Sequence, residues 1–207
     1  MTKVNLNDFV TEESDVIVFN NGNAGRVKNV RVEVSKKLPT DTPNSPDIKF
    51  NFYDEQQGVV NLGVYYPTER TKDSEIHIRI NQMVSILHSL APATKSEKFP
   101  EFENNTQAYE FLAQQIAKHS RDGRLNIFVT YGTTTNSSKY LGFRAYNIAE
   151  PVDTPDEKTR LVPSTKERYV DQMTRPQPTN FDNDSINTTI ENNPAEPVKT
   201  AEEAWDD

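Results

Sequence analysis

Apolar side chains recur at every second position in five stretches of this chain, the period of a strand with one buried face. In 29–35 (NVRVEVS) Val30, Val32 and Val34 share a face, and in 48–54 (IKFNFYD) Ile48, Phe50 and Phe52 do. The same holds for Val60, Leu62, Val64 and Tyr66 in 59–66 (VVNLGVYY), and for Leu125, Ile127, Val129 and Tyr131 in 124–131 (RLNIFVTY). In 139–147 (KYLGFRAYN) the face is Leu141, Phe143 and Ala145. DEQQG (54–58) predicts a hairpin turn between the second and third strands, and YGTTTNSSK (131–139) a loop between the fourth and fifth. DVIVFN (15–20) is a candidate leading strand. Two stretches switch to helical spacing. One is 73–91, with Ile76, Ile80, Val84, Leu87 and Leu90, ended by Pro92. The other is 106–121, with Tyr109, Leu112, Ala113 and Ile116. Asn105 or Thr106 can cap the second helix, and Gly123 can close it.

Three strands, a helical connection and two more strands is the order of an OB-fold, a small Greek-key barrel. The expected fold class is mainly β with helices: a five-stranded, OB-like barrel with a helical insertion between strands 3 and 4. An α+β sandwich of the same elements is the competing architecture. The expected organisation is a domain over 1–150, a connecting segment over 151–175 partly packed on it, and a disordered acidic tail over 176–207. In the connecting segment Leu161, Val162, Tyr169, Val170 and Met173 could pack on the body, and STKERYVDQM (164–173) could form a short helix.

Fixing the core face also fixes the other one. The opposite positions read Arg31 and Glu33; Lys49 and Tyr53; Tyr65; Arg124, Asn126 and Phe128; Tyr140, Arg144 and Tyr146. Aromatic rings interleaved with bases suit single-stranded nucleic acid, whose bases stack on rings while Lys and Arg track phosphates. Arg26, Lys28, Lys36, Lys37, Arg70, Lys72, Arg121 and Lys139 add cations in the loops. The blander reading is that the helices, the leading strand or residues 151–175 cover this face and bury the rings as ordinary core.

Charge at first argues against such a partner, because the net charge is -8. Residues 176–207 hold eight acids and one base, whereas residues 1–175 hold 23 acids and 22 bases. The body is therefore nearly neutral, and binding depends on how its bases are arranged. Large apolar residues thin out after Ile148, and from Pro176 the text is Pro, Asn, Thr and acids. Such a segment buries too little apolar surface to offset its ordering entropy. Yet its end, AEEAWDD, carries the chain's single tryptophan. Glu202, Glu203, Trp205, Asp206 and Asp207 read as an apolar anchor flanked by acids, a docking peptide for a basic groove.

Other classes drop away. No apolar run reaches the ~18 residues of a membrane span, and MTKVNLNDF lacks the apolar core of a secretory signal. There is no cysteine, and His77, His88 and His119 lack metal-type spacing, so no metal and no cofactor are expected. NNGNAG (20–25) lacks the Lys-Ser/Thr and the helix of a phosphate loop. No nucleophile or nucleotide motif appears, so the protein is expected not to be an enzyme.

The body, the interleaved rings and bases and the aromatic-tipped acidic tail together resemble single-stranded DNA-binding proteins of tailed bacteriophages. The resembling stretches are FNNGNAGRVKNVRVEV (19–34), PNSPDIKFNFYDE (43–55), FPEFENNTQAYEFL (99–112) and FVTYGTTTNSSKYLGFRAY (128–146). The resemblance implies an OB domain that coats single-stranded DNA in replication and recombination without strong sequence preference. Arg31, Lys49, Tyr53, Tyr65, Arg124, Phe128, Tyr140, Arg144 and Tyr146 would contact DNA. It implies a tail that recruits replication proteins (polymerase, helicase-primase) and competes with DNA, in the cytoplasm of an infected bacterial host. The tip departs from the Asp-Pro-Phe ending of bacterial counterparts, and there is no Cys/His zinc element. The main alternative is a phage virion structural or assembly protein; a weaker one is a regulator that mimics DNA through its tail. The sequence leaves oligomeric state, including a homo-oligomer, open.

Overall fold

The computed structural model describes residues 17–133, 136–166 and 170–176. All of these lie in the first of two compact units, Met1–Pro176. The second, Gln177–Asp207, with the expected docking tip, lies outside the described residues.

Six strands and two helices follow in the order β1 (Gly25–Lys36), β2 (Ile48–Tyr53), β3 (Val59–Val64), α1 (Asp73–Leu90), α2 (Asn105–His119), β4 (Leu125–Thr133), β5 (Asn136–Gly142) and β6 (Ala149–Pro151). The strands form one antiparallel sheet in the order β3-β2-β1-β4-β5. β6 pairs with Leu125–Ile127 of β4, while β5 pairs with Thr130–Thr133. The sheet curls into a half-barrel compatible with an OB-like fold, because β1 serves two halves. Its start pairs with β4 and its end, Arg31–Lys36, pairs with β2. Between them the register shifts at Val27–Val30, where Asn29 takes a φ of 57°. The extra residue bends the strand as a bulge does. The Asn29 N–H finds the Asn126 side chain at 3.2 Å instead of a ladder partner.

The inward residues match the alternation. Val30, Val32, Ile48, Phe50, Phe52, Val60, Leu62 and Val64 are buried in one cluster with Met83, Ile86 and Leu87 of α1 and Leu112 and Ile116 of α2. α1 packs on α2, β4 and β6, and α2 on β1. The Asn104 side chain caps α2 by accepting the Gln107 N–H at 3.0 Å, one residue ahead of the expected cap. The β2–β3 turn is held by Asp54, whose carboxylate accepts the Asn20, Gln56 and Gly58 N–H groups at 2.5, 2.9 and 2.8 Å.

Four expectations need correction. Residues 17–20 form no strand: Phe19 is buried, but Phe19–Gly22 is a 3-10 turn because Asn20 and Asn21 adopt φ of 48° and 51°. Residues 15 and 16 lie outside the described ones. The expected loop 131–139 is largely strand, since β4 and β5 run through it; residues 134–135 are not described. The fifth strand stops at Gly142 rather than at 147. Phe143 turns in to meet Phe52, with ring centroids 4.8 Å apart, and Asn147 at φ 51° redirects the chain into β6. The described part of 164–173 is not helical. Asp171 bridges to Thr133, and Ser164 and Asp171 close a loop with each other, the Ser164 N–H to the Asp171 carboxylate and the Asp171 N–H to the Ser164 carbonyl. Tyr169 is not described. Leu161 is buried, whereas Val162 is exposed.

Candidate nucleic-acid interface

The pairing register turns the outer face of β1, β2 and β3 into a grid. Its rows are Arg31–Tyr53–Val59, Glu33–Asn51–Asn61 and Ser35–Lys49–Gly63. Strands lie about 4.8 Å apart and successive outward residues about 6.7 Å apart, so the grid measures roughly 10 by 13 Å. In the first row the Arg31 guanidinium lies over the Tyr53 ring, 4.4 Å from its centroid, and Arg31 Nη1 donates to Glu33 Oε1. Partial burial holds the Tyr53 phenol above its ordinary pKa. The Glu33 charge and a hydrogen bond to its carboxylate act the same way, against the pull of Arg31. Tyr53 is thus a neutral ring fixed in place by two neighbours.

At the other end, Tyr65 is 56% exposed and its hydroxyl donates to the Asn44 carbonyl at 3.1 Å. Gly63 lets the preceding loop close over the sheet, since a Cβ there would lie 3.1 Å from Pro46 Cβ. Lys49 is half-buried and makes no ion pair among the described residues. Tyr53, Lys49 and Tyr65, with Arg31, are therefore brought together as the alternation implied.

The other half of the sheet is covered. Every residue of β4 from Leu125 to Tyr131 is buried, on both faces. The cover is the chain that follows. The Asn126 amide donates to the Pro151 and Val152 carbonyls at 3.1 and 3.3 Å. The Tyr131 N–H donates to the Gln172 carbonyl, and the Gln172 N–H to the Gly132 carbonyl, both at 2.9 Å. Phe128 is fully buried beneath the Arg144 guanidinium, 4.1 Å from the ring centroid. Phe128 is thus a core side chain and cannot stack a base without displacing this cover. Arg144 is likewise committed inward: Nη1 donates to Asp171 Oδ2 and to the Val162 carbonyl, both at 2.8 Å, and Nη2 to the Asn147 carbonyl at 3.0 Å. Arg124 is half-buried, with Nη1 on the adjacent Gly123 carbonyl at 3.0 Å. Tyr140 and Tyr146, 73% and 60% exposed, stand singly on β5 and on the irregular stretch after it.

The loop cations divide in the same way. Arg26 pairs with Glu150 at 2.6 Å and with Asp156, and Lys28 pairs with Asp156 at 2.7 Å. Hydrogen bonds from Lys28 and then Arg26 hold the Asp156 carboxyl below its ordinary pKa. Lys36 pairs with Glu110, which also accepts from the Tyr66 hydroxyl. Lys37 Nζ donates to the Pro43 carbonyl at 2.8 Å. Arg70, Lys72, Arg121 and Lys139 are exposed.

Asn51 and Asn61 were missed by the alternation alone; the signal that finds them is the hairpin register, which sets them opposite each other beside Glu33. Among the described residues no group of three or more His, Cys, Asp or Glu could hold a metal ion, and no helix is long and apolar enough to cross a membrane. Comparison with protein-family models, with curated proteins and with solved structures finds no match for this chain.

Proposed function

We propose that this protein is a non-catalytic single-stranded DNA-binding protein that coats DNA in phage replication and recombination. The observation that carries the reading is the β1–β3 grid, where Tyr53 and Tyr65 flank Lys49 on the outer face of the sheet, with the β1–β2 loop closing over its Gly63 corner. Each base stacked on such a ring adds about 1–3 kcal/mol. The strand order supports the finer OB assignment: β1 pairs with both β2 and β4, so closing β3 onto β5 would complete a five-stranded Greek-key barrel. The eight acids of 176–207, ending in Trp205 among Glu202, Glu203, Asp206 and Asp207, would compete with DNA and recruit replication proteins.

The test is a fluorescence titration of oligo-dT and of a duplex, at two salt concentrations, with the full chain and with a chain ended at Pro176. The expected result is submicromolar, salt-sensitive binding to the single strand, tightened by truncation. Tyr53→Ala and Tyr65→Ala, compared under conditions where both are folded, should each weaken it by about 5- to 150-fold. A truncated protein that shows no preference for single strands at low salt would sink the reading.

A further inference from the structure

The middle row of the grid is polar without being cationic. Glu33, Asn51 and Asn61 stand opposite one another across three strands, between the Tyr53 row and the Lys49 row. A surface that tracked phosphates alone would be weakened by a carboxylate there. One contact offsets its charge: Arg31 donates to Glu33 Oε1, while the Glu33 side chain stays 49% exposed. An ionised carboxylate only accepts hydrogen bonds and has roughly four lone-pair sites, so acceptor capacity remains on its open side. Asn51 and Asn61 carry side-chain amides with no hydrogen-bond partner among the described residues, Asn61 exposed and Asn51 half-buried.

We propose that this row reads the hydrogen-bonding edge of a base, and that Glu33 tilts the reading toward bases with an exocyclic amine. The proposal rests on the single-strand reading above and names which strands that face prefers. A base stacked on Tyr53 has its edge within reach of the next row, about 6.7 Å along the strands. Cytosine presents its N4 amine, and adenine and guanine present amines of their own. Uracil and thymine carry a carbonyl at the C4 position where cytosine carries the amine, and their one donor on that edge, N3–H, lies between two carbonyls. A carboxylate placed to meet the C4 substituent therefore gains a hydrogen bond from cytosine and meets an acceptor in uracil or thymine. The asparagine amides donate and accept, so they accommodate either kind of base. The discrimination therefore sits on Glu33.

Oligo-dC and oligo-dU of about 15 nucleotides, a length that spans one OB-type site, isolate this difference. Both are pyrimidine strands, and cytosine is neutral at neutral pH. With the full-length protein, anisotropy titrations at one salt concentration are expected to favour oligo-dC by about 10- to 150-fold, the worth of one hydrogen bond to a charged group. Glu33→Gln supplies a donor as well as an acceptor and should bring the ratio to about one. Glu55→Gln, an exposed acid of the β2–β3 turn, should leave the ratio as it is. Equal binding of the two strands by the unaltered protein, or a preference that survives Glu33→Gln, overturns the proposal alone. Binding of neither strand overturns the single-strand reading beneath it.

Discussion

Arg144 separates two accounts of the same face. Alternation made it a phosphate contact; its position makes it a pillar that fastens the C-terminal segment over β4. Its side chain is 11% exposed and that of its partner Asp171 is 3% exposed. The guanidinium serves Asp171, three backbone carbonyls (Val162, Asn147 and Arg160) and the Phe128 ring. In Arg144→Met the Asp171 carboxylate keeps the Ser164 N–H, at 2.7 Å, and loses the guanidinium that neutralises it. Stranding a buried charge in this way costs about 3–5 kcal/mol. With a urea slope of about 2 kcal/mol/M, the midpoint should fall by about 2 M. Asp171→Asn keeps the guanidinium with its carbonyls and should cost about 1.5–3 kcal/mol, the worth of a hydrogen bond to a charged group. It is the milder variant should Arg144→Met fail to fold.

Far-UV circular dichroism in urea reads stability. Oligo-dT titration across a salt series then separates the accounts. Loss of one phosphate contact flattens the plot of log affinity against log salt by about 0.7 for a single strand. The pillar account expects no change in slope for either variant under folded conditions. The reasoning is refuted if Arg144→Met costs under about 1 kcal/mol, or if the slope flattens while the urea midpoint holds.

Other consequences are simpler. Asp54→Ala orphans the N–H groups of Asn20, Gln56 and Gly58 and should cost about 3 kcal/mol, with faster amide exchange at Gly58; a cost within error of zero would deny Asp54 its role in the turn. Gly123→Ala places a Cβ 2.4 Å from the His119 carbonyl oxygen and 2.9 Å from Leu90 Cδ2 and should cost about 1–3 kcal/mol by overpacking; a neutral result would show that the α2 end yields freely. His88 lies beside Phe99, its Nε2 buried with no hydrogen-bond partner among the described residues. Burial, and secondarily the charge of Lys95, lower its pKa from the ordinary 6.5. Below that value the unfolded chain binds more protons than the folded one, so stability falls as pH drops through 6.5 and levels off once the folded form is also protonated. His88→Gln should flatten the stability profile between neutral and mildly acidic pH, and an unchanged profile would deny the assignment.

The β2–β3 hairpin was legible because its two faces meet different surroundings. Phe50 and Phe52 enter the core while Lys49 and Asn51 stay outside, so period two is written in the residues. β4 shows the same period, yet both its faces are buried. β6 and Gln172 pair along its edges, and the chain between them, reached by Asn126, Arg26 and Arg144, lies over the outer face, remote in sequence. The cover acts through backbone carbonyls, a bridge at Asp171 and the Arg144 pair, not through a run of apolar side chains. No hydrophobic pattern announces a lid made of hydrogen bonds. The apolar run before Asn20 misleads for a related reason: VIVF reads as strand, but two consecutive asparagines at positive φ turn the chain. Asn and Asp tolerate that region better than other side chains.

The same cover decides what the near-neutral body can offer a phosphate chain. Arg26, Lys28 and Arg144 are tied to Glu150, Asp156 and Asp171, all from the segment that crosses β4, and Lys36 is tied to Glu110. The cations on the covered half thus serve to hold the cover. On the open half Arg31 is matched by Glu33, which leaves Lys49 as the grid's unneutralised cation. A strand laid across β1–β3 would gain little from counterion release within the grid and more from Tyr53 and Tyr65. Base stacking, with edge contacts from the Glu33 row, is therefore the larger part of what this face can supply, and the exposed Arg70, Lys72, Arg121 and Lys139 can hold phosphate only outside it.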